Sequence, residues 1–158
     1  MAATIEGCLT CDTLTGKVSP PGGLVADSGP WLADHCLGPF GVGAFVAKTR
    51  FHRPSLWELS DEESAAMGPF LSALSGAIVD ALDAERVYLS MWVDAPPHHV
   101  HLVLEPRYRG RAEAGGATAF LLQEWRRRQG PPEPTAAAAA AEKVRDALAR
   151  RWPSYVPR

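Results

Sequence analysis

The alternation of apolar and polar positions along the chain predicts a sheet built from short strands. Brief apolar runs bounded by glycine and proline are typical of strands. The predicted strands cover residues 31–37, 43–48, 86–93 and 99–105, with a short extended piece at 24–26. Turn-forming residues lie at 38–41 and 94–97, between the two strands of each pair. Each pair is therefore expected to be antiparallel.

Helical spacing predicts one long helix in the middle of the chain and two more near its end. Ser60 with Glu63 three positions later forms a capping box, and apolar residues then recur at helical spacing as far as Leu82. Pro69 lies inside this segment and predicts a kink or a later start. The other predicted helices cover residues 118–129 and 136–152, with a glycine and two prolines between them.

Length and composition predict one soluble domain over residues 1–158. With 46% hydrophobic and 22% charged residues, the 158-residue chain is close to globular averages. Its formal net charge of -2 argues against a nucleic-acid partner. No apolar run approaches the roughly 20 residues of a membrane span, and the first residues lack the features of a signal peptide. We therefore expect no membrane partner and a cytoplasmic location.

Cys8 and Cys11 form a Cys-x2-Cys pair that indicates metal or redox chemistry in a reducing compartment. Zinc sites use four Cys and His ligands, so two further ligands would come from the histidines or a carboxylate. His52 lies just after a predicted strand and His99 at the start of another, and these two are our candidates. Spacing alone also allows a thioredoxin-like redox pair or two unrelated thiols. The loop predicted after Cys11 disfavours the redox pair, since a helix should begin there.

A His-x-His pair lies in the last predicted strand. Strand alternation directs His99, His101, Val103 and Glu105 to one face. One imidazole could bind a metal or donate a proton, while the other attacks phosphorus as a neutral nucleophile. The pair is also compatible with a solvated or metal-stabilised edge strand, or with two metal ligands.

Residues 99–107, His-Val-His-Leu-Val-Leu-Glu-Pro-Arg, resemble the signature of the histidine triad superfamily. Residues 43–52 and 56–63 are similar to the strand, turn and helix start that precede this signature. Cys8 and Cys11 match the N-terminal pair of its zinc-containing members. The resemblance covers about residues 8–107 and leaves 108–158 as a C-terminal helical extension.

This resemblance implies an α+β fold with an antiparallel sheet of about five strands, one long helix and C-terminal helices, and a possible homodimer. As in the similar galactose-1-phosphate uridylyltransferases, one structural zinc ion per chain would be held by four residues, namely Cys8, Cys11, His52 and His99. His101 would be the catalytic nucleophile. The implied activity is that of a hydrolase or nucleotidyltransferase acting on a nucleoside phosphoramidate, dinucleoside polyphosphate or similar phosphate ester.

Two departures from the family pattern concern the phosphate. Val103 replaces the third histidine and has no hydrogen-bond donor, and residues 94–98 contain two prolines where the family offers phosphate-binding groups. The candidate substrate-binding residues, on family analogy or as substitutes, are Trp31 for a base, His98 and Glu105 for lost donors, and Arg107 for an anion. These departures leave two alternatives open: a biosynthetic enzyme acting on a non-nucleotide molecule, and a non-catalytic ligand-binding protein.

Overall fold

A computed structural model describes residues 4–108 and 118–157 as a five-stranded antiparallel sheet with helices. The strands are Leu24–Asp27 (β1), Trp31–His35 (β2), Phe45–Thr49 (β3), Ala84–Ser90 (β4) and His101–Tyr108 (β5). The helices are Leu9–Leu14 (α1), Asp61–Leu82 (α2), Ala119–Gln129 (α3) and Pro134–Arg151 (α4), with 3-10 turns at Leu56–Glu58 and Pro153–Tyr155. The strand order is β1-β2-β3-β5-β4. The predicted α+β class, with five strands, one long helix and C-terminal helices, is confirmed.

The register of the central strands places five side chains on one face of the sheet. Lys48 lies directly opposite His101, and Val46 opposite Val103. Asp34 on β2 lies opposite Val46. Because side chains of directly opposite residues point to the same side, these five residues line one face.

The other face of the sheet packs against α2 and α4 to form the main core. Alternation along β2, β3 and β5 directs a second set of side chains to this face. Its fully buried large residues are Trp31, Phe45, Phe70, Leu74, Ile78, Leu104 and Leu148. Leu148 lies on α4, so the C-terminal region adds to the same core as α2.

The long helix α2 starts where the capping box predicts. The Ser60 hydroxyl accepts a hydrogen bond from the Glu63 N–H, and the Glu63 carboxylate accepts one from the Ser60 N–H. Pro69 lies inside the helix without ending it, and the helix continues to Leu82. The predicted later start is wrong, because the satisfied cap fixes the first turn. This helix has the length and apolar composition of a membrane span, but its Phe70, Leu74 and Ile78 belong to the core.

The first helix was not predicted. Helix α1 begins immediately after Cys8, whose sulfur accepts a hydrogen bond from the Cys11 N–H at 3.5 Å. The expectation of a loop after the cysteine pair is therefore wrong for the next few residues. A thiol in the N-cap position satisfies an N–H that the first turn would otherwise leave unpaired.

Candidate metal centre and adjoining cavity

Cys8, Cys11, His52 and His99 come together at one end of the sheet. Their four candidate ligand atoms all lie within 4.8 Å of one another. The Nδ1 atom of His99 is 3.5 Å from the sulfur of Cys8 and 3.6 Å from that of Cys11, and Nδ1 of His52 is 3.5 Å from the sulfur of Cys11. The structure therefore groups all four predicted ligands as a set that could hold a metal ion.

Three separate elements supply this cluster. The cysteines lie at the start of α1, His52 lies in the loop after β3, and His99 lies just before β5. The N–H of Val100 donates a hydrogen bond of 2.7 Å to the carbonyl oxygen of Arg53, which holds the His52 loop beside His99. The cluster therefore joins the N-terminal segment to the centre of the sheet.

The environment of His99 favours the neutral ring with its lone pair on Nδ1. Its Nε2 lies 3.0 Å from the carbonyl oxygen of Thr49, an acceptor to which only a protonated nitrogen can donate. Nδ1 then carries the lone pair and faces the sulfur atoms. Burial, followed by the repulsion from His52, His101 and Lys48, lowers the pKa of His99 to about 4, although the Thr49 contact opposes this shift. A neutral imidazole with one anchored nitrogen is the form that binds metals.

His101 has the opposite arrangement of ring hydrogen bonds from His99. Its Nδ1 lies 2.8 Å from the carbonyl oxygen of His99 and donates to it. The lone pair of the neutral ring is consequently on Nε2. His101 lines a cavity of about 410 Å³ that also borders on Cys8 and His99, so His101 and the cysteine-histidine cluster adjoin the same cavity.

A buried ion pair that was not predicted from the sequence lies in the wall of this cavity. The ammonium of Lys48 donates to the carboxylate of Asp34 and, at 2.6 Å, to the hydroxyl of Thr13. Burial raises the pKa of Asp34, and the nearby ammonium of Lys48 only partly offsets the effect. A polar residue at the centre of an otherwise buried strand was the available signal for both Asp34 and Lys48.

The position of the missing third histidine belongs to an apolar corner of the cavity. Val103 packs with Cys36 and Ala44, and Phe40 and Val46 complete the cluster. Cys36 is buried, and burial raises the pKa of its thiol well above the usual value. Val103 therefore contributes shape to the cavity but no proton donor for a phosphate oxygen.

Two of the candidate substrate-binding residues are positioned by other contacts, and a third is exposed. Trp31 is a core residue, fully buried, and its Nε1 donates a hydrogen bond of 2.7 Å to the carbonyl oxygen of Glu63. Arg107 contacts Glu85 at 3.7 Å. His98 is exposed, since strand alternation no longer applies before His101, where β5 begins. None of these three is among the described residues that line the cavity.

Glu105 lies on the same strand face as His101 but under α3. Its carboxylate accepts a hydrogen bond of 2.6 Å from the side chain of Gln123 and lies 3.6 Å from the guanidinium of Arg126. Burial raises the pKa of Glu105, and the contacts with Gln123 and Arg126 oppose that shift. In this structure Glu105 anchors α3 to the sheet instead of lining the cavity.

The sequence matches no protein-family model and no curated protein, but the fold has close counterparts among solved structures. A zinc-bound histidine triad family protein from Mycobacterium smegmatis aligns with a TM-score of 0.68 over 91% of this chain and 94% of its own, at 18% identity. The chain has the histidine triad fold. A hypothetical histidine triad nucleotide-binding protein from Sulfolobus tokodaii aligns with a TM-score of 0.68 over 90% of this chain and 93% of its own, at 15% identity.

The histidine triad fold predicted from the signature is thus confirmed. A Hit-like protein from Bartonella henselae, described as involved in cell-cycle regulation, aligns over 92% of this chain and all of its own, with a TM-score of 0.61 and 16% identity. Each of the three alignments covers at least 90% of this chain. At such low identity they establish the histidine triad fold, and the chemistry has to be argued from the site itself.

Proposed function

We propose that this protein is a zinc-containing hydrolase or nucleotidyltransferase of the histidine triad type, acting on a nucleoside phosphoramidate, dinucleoside polyphosphate or similar phosphate ester. The observation that carries the proposal is the hydrogen bond from Nδ1 of His101 to the carbonyl oxygen of His99. It leaves the lone pair of Nε2 available in a cavity of about 410 Å³, within the usual size range of small-molecule sites.

Zinc is the metal that this donor set fits best. Two thiolates and two imidazoles are a common structural zinc set, and bonds of about 2.3 Å to sulfur and about 2.0–2.1 Å to nitrogen in a tetrahedron separate S and N by about 3.6 Å. Three of the four S–N separations between the cysteines and histidines are 3.5, 3.5 and 3.6 Å. Four protein ligands leave no open position for a water molecule, so the proposed role of zinc is to cross-link α1, the β3 loop and the start of β5.

The proposed reaction proceeds through a covalent intermediate on His101. Nε2 attacks the phosphorus atom, so that a nitrogen–phosphorus bond forms while the bond to the leaving group breaks. The leaving group departs with that electron pair and takes a proton from solvent. Water, or another acceptor, then attacks the same phosphorus atom and releases His101. Throughout, the carbonyl oxygen of His99 holds the Nδ1 proton and stabilises the positive charge that develops on the ring.

The proposal also includes the class of ligand, a homodimer and a cytoplasmic location. The ligand is a phosphorylated small molecule, most simply a nucleotide. The β4 strand pairs with β5 along one edge only, among the described strands, and its other edge offers a surface for a homodimer. Three free cysteines, all buried, are compatible with a cytoplasmic location.

Native mass spectrometry tests the proposal directly. The protein is incubated with an adenosine phosphoramidate or a dinucleoside polyphosphate and its mass is followed in time. We expect one zinc ion per chain and a transient adduct of one nucleoside monophosphate. His101→Ala should keep the zinc and lose the adduct. Zinc without any adduct or hydrolysis in the wild-type protein would rule out nucleotidyl transfer to His101.

The second candidate function is a small-molecule enzyme or binding protein that uses the same scaffold without nucleotides. It is favoured by the lining of the cavity, where Val103 has replaced a histidine and Pro96 and Pro97 offer no N–H to a phosphate. In that case His101 would serve in proton transfer on a non-nucleotide substrate, or only in binding. Stabilisation of the folded protein by nucleoside monophosphates in a thermal-shift series favours the first candidate, and its absence favours the second.

A further inference from the structure

One wall of the cavity beside His101 contains a buried ion pair that has no role in the proposed reaction. Lys48, whose side chain is 2% exposed, is paired with Asp34, whose side chain is 5% exposed. Thr13 on α1 accepts a second hydrogen bond from the ammonium. All three residues line the cavity, and Lys48 lies directly opposite His101 across the β3–β5 pair.

Stability does not account for this ion pair. Removing two charges from water costs several kcal/mol per ion, and buried ion pairs commonly add little to the stability that apolar residues of similar size would give. Neighbouring positions on the same face are apolar, as Val46 and Val103 illustrate. Two apolar side chains at 34 and 48 would extend that cluster, so the pair is better explained by what it offers to a ligand.

Among the described residues, the ammonium of Lys48 has fewer hydrogen-bond acceptors than N–H groups. It carries three N–H groups, of which Asp34 and Thr13 accept two. Among the described residues that line the cavity, Lys48 is the single lysine or arginine. Pro96 and Pro97 provide no N–H groups, and the side chain of Val103 provides no proton. An anionic oxygen placed next to Nε2 of His101 therefore has one charged donor within this wall.

We propose that Lys48 is the anion-binding residue of this site, with its ammonium oriented by Asp34 and Thr13 toward an oxygen of the group attacked by His101. The inference rests on the proposed function for the identity of that group as a phosphate. It assigns to Lys48 the charge stabilisation that the missing third histidine cannot give. Asp34 acts as a positioning residue and partly neutralises the ammonium, which weakens the attraction for the anion.

Calorimetric titrations of the wild-type protein and three variants test this role. The probes are inorganic phosphate, AMP and adenosine, and the variants are Lys48→Met, Asp34→Asn and the matched control Lys143→Met, whose lysine is exposed on α4. Zinc content and thermal unfolding are measured for each variant. Lys48→Met should weaken binding of phosphate and AMP about tenfold or more, because a charge-assisted hydrogen bond is lost, and leave adenosine unchanged. Lys143→Met should change nothing.

The decisive measurement is the sign of the Asp34→Asn effect. This variant keeps the ammonium and removes the competing carboxylate, so it should tighten binding of phosphate and AMP several-fold. A purely structural pair would instead lose affinity in both variants, and that result overturns the inference. If Lys48→Met does not fold, the direction of the Asp34→Asn effect decides alone.

The three probes separate the inference from the proposed function. Phosphate binding that depends on Lys48, together with no binding of AMP or adenosine, supports the inference and overturns the nucleotide function. AMP binding that is equal in the wild-type protein and Lys48→Met supports the nucleotide function and overturns the inference. If the wild-type protein binds neither phosphate nor AMP, both proposals are wrong.

Discussion

The carbonyl oxygen of His99 accepts a hydrogen bond of 2.8 Å from Nδ1 of His101, so the backbone of one signature histidine fixes the ring of the other. The side chain of His99 belongs at the same time to the cysteine-histidine cluster. A displacement of His99 would therefore move both the candidate ligand and the acceptor that determines the tautomer of His101. The candidate metal centre and the candidate nucleophile therefore depend on the same residue, His99.

Cys8→Ser should lower metal content and stability together. The serine hydroxyl is a poor zinc ligand, and loss of a structural metal belongs to the changes that destabilise by more than about 4 kcal/mol. Elemental analysis gives the metal content, and denaturant unfolding gives the free energy. Cys36→Ser is the matched control, because Cys36 packs with Val103 and Ala44 away from the cluster. It should retain the metal, and equal metal content in Cys8→Ser and wild type would remove Cys8 from the centre.

The stability of the protein should fall in mild acid through His35. This ring is fully buried between two backbone groups: Nδ1 donates to the carbonyl oxygen of Cys36 at 2.9 Å, and Nε2 accepts from the N–H of Gly43 at 2.9 Å. Burial lowers its pKa below the ordinary value of 6.5, although the Cys36 contact opposes the shift. The unfolded chain therefore binds the proton first, and this contribution is present above about pH 6.5 and is lost as the pH falls through the folded-state pKa.

Denaturant unfolding between pH 4 and 8, in wild type and His35→Gln, isolates this contribution. A tenfold difference in proton affinity between the folded and unfolded states corresponds to ~1.4 kcal/mol of stability. Burial also raises the pKa values of Asp34 and Glu105 above the usual carboxyl values. These carboxyl groups oppose the acid loss and are present in both proteins. The wild-type protein should lose more stability toward low pH than His35→Gln, and parallel curves would contradict the assignment.

Trp31→Phe should destabilise the fold and leave the site unaffected. The change removes the Nε1 donor to the carbonyl oxygen of Glu63 and part of a fully buried ring. A lost buried hydrogen bond and a small cavity together cost about 1–3 kcal/mol. Chemical unfolding measures the loss, and AMP titration measures the site. If the variant folds but its affinity for AMP differs from that of the wild-type protein, Trp31 belongs to the ligand pocket.

The ion pair between Glu105 and Arg126 should show strong coupling. Both side chains are almost fully buried, and Arg126 also donates a hydrogen bond of 2.6 Å to the carbonyl oxygen of Pro106. Removing one partner of a buried pair commonly costs about 3–5 kcal/mol, because the other charge remains buried. Glu105→Gln and Arg126→Met should each be destabilising, and the double variant should cost less than their sum. Additive losses would show that the two side chains act independently.

The sequence predicted most of the fold because its signals are local. The strands of the sheet follow apolar runs between glycine and proline, and α2 follows from Ser60 and Glu63 with the helical spacing behind them. The errors also have local causes. Helix α1 has only six residues and an unusual thiol cap, and β5 continues past the predicted end through Pro106 to Tyr108.

The residues of the candidate site that belong to sequence motifs could be predicted. The residues that are brought there by three-dimensional packing could not. The cysteine pair and the signature histidines could be selected from the sequence with the help of the family resemblance. The Asp34–Lys48 pair could not, since it depends on the register of β2 and β3 and on Thr13 reaching over from α1. Trp31 and Glu105 lie outside the cavity because Trp31 contacts α2 and Glu105 contacts α3, and these contacts could not be predicted from the sequence either.

The cluster joins residues that are far apart in the chain, with Cys11 and His99 separated by 88 positions. During synthesis the two thiols are consequently made long before the last imidazole. At about 5–20 residues per second this interval is on the order of ten seconds. For that time the nascent chain carries a thiol pair without its full set of partners, open to oxidation or to a competing metal. Metal uptake by this candidate centre would therefore depend on how reducing the surroundings of the ribosome are.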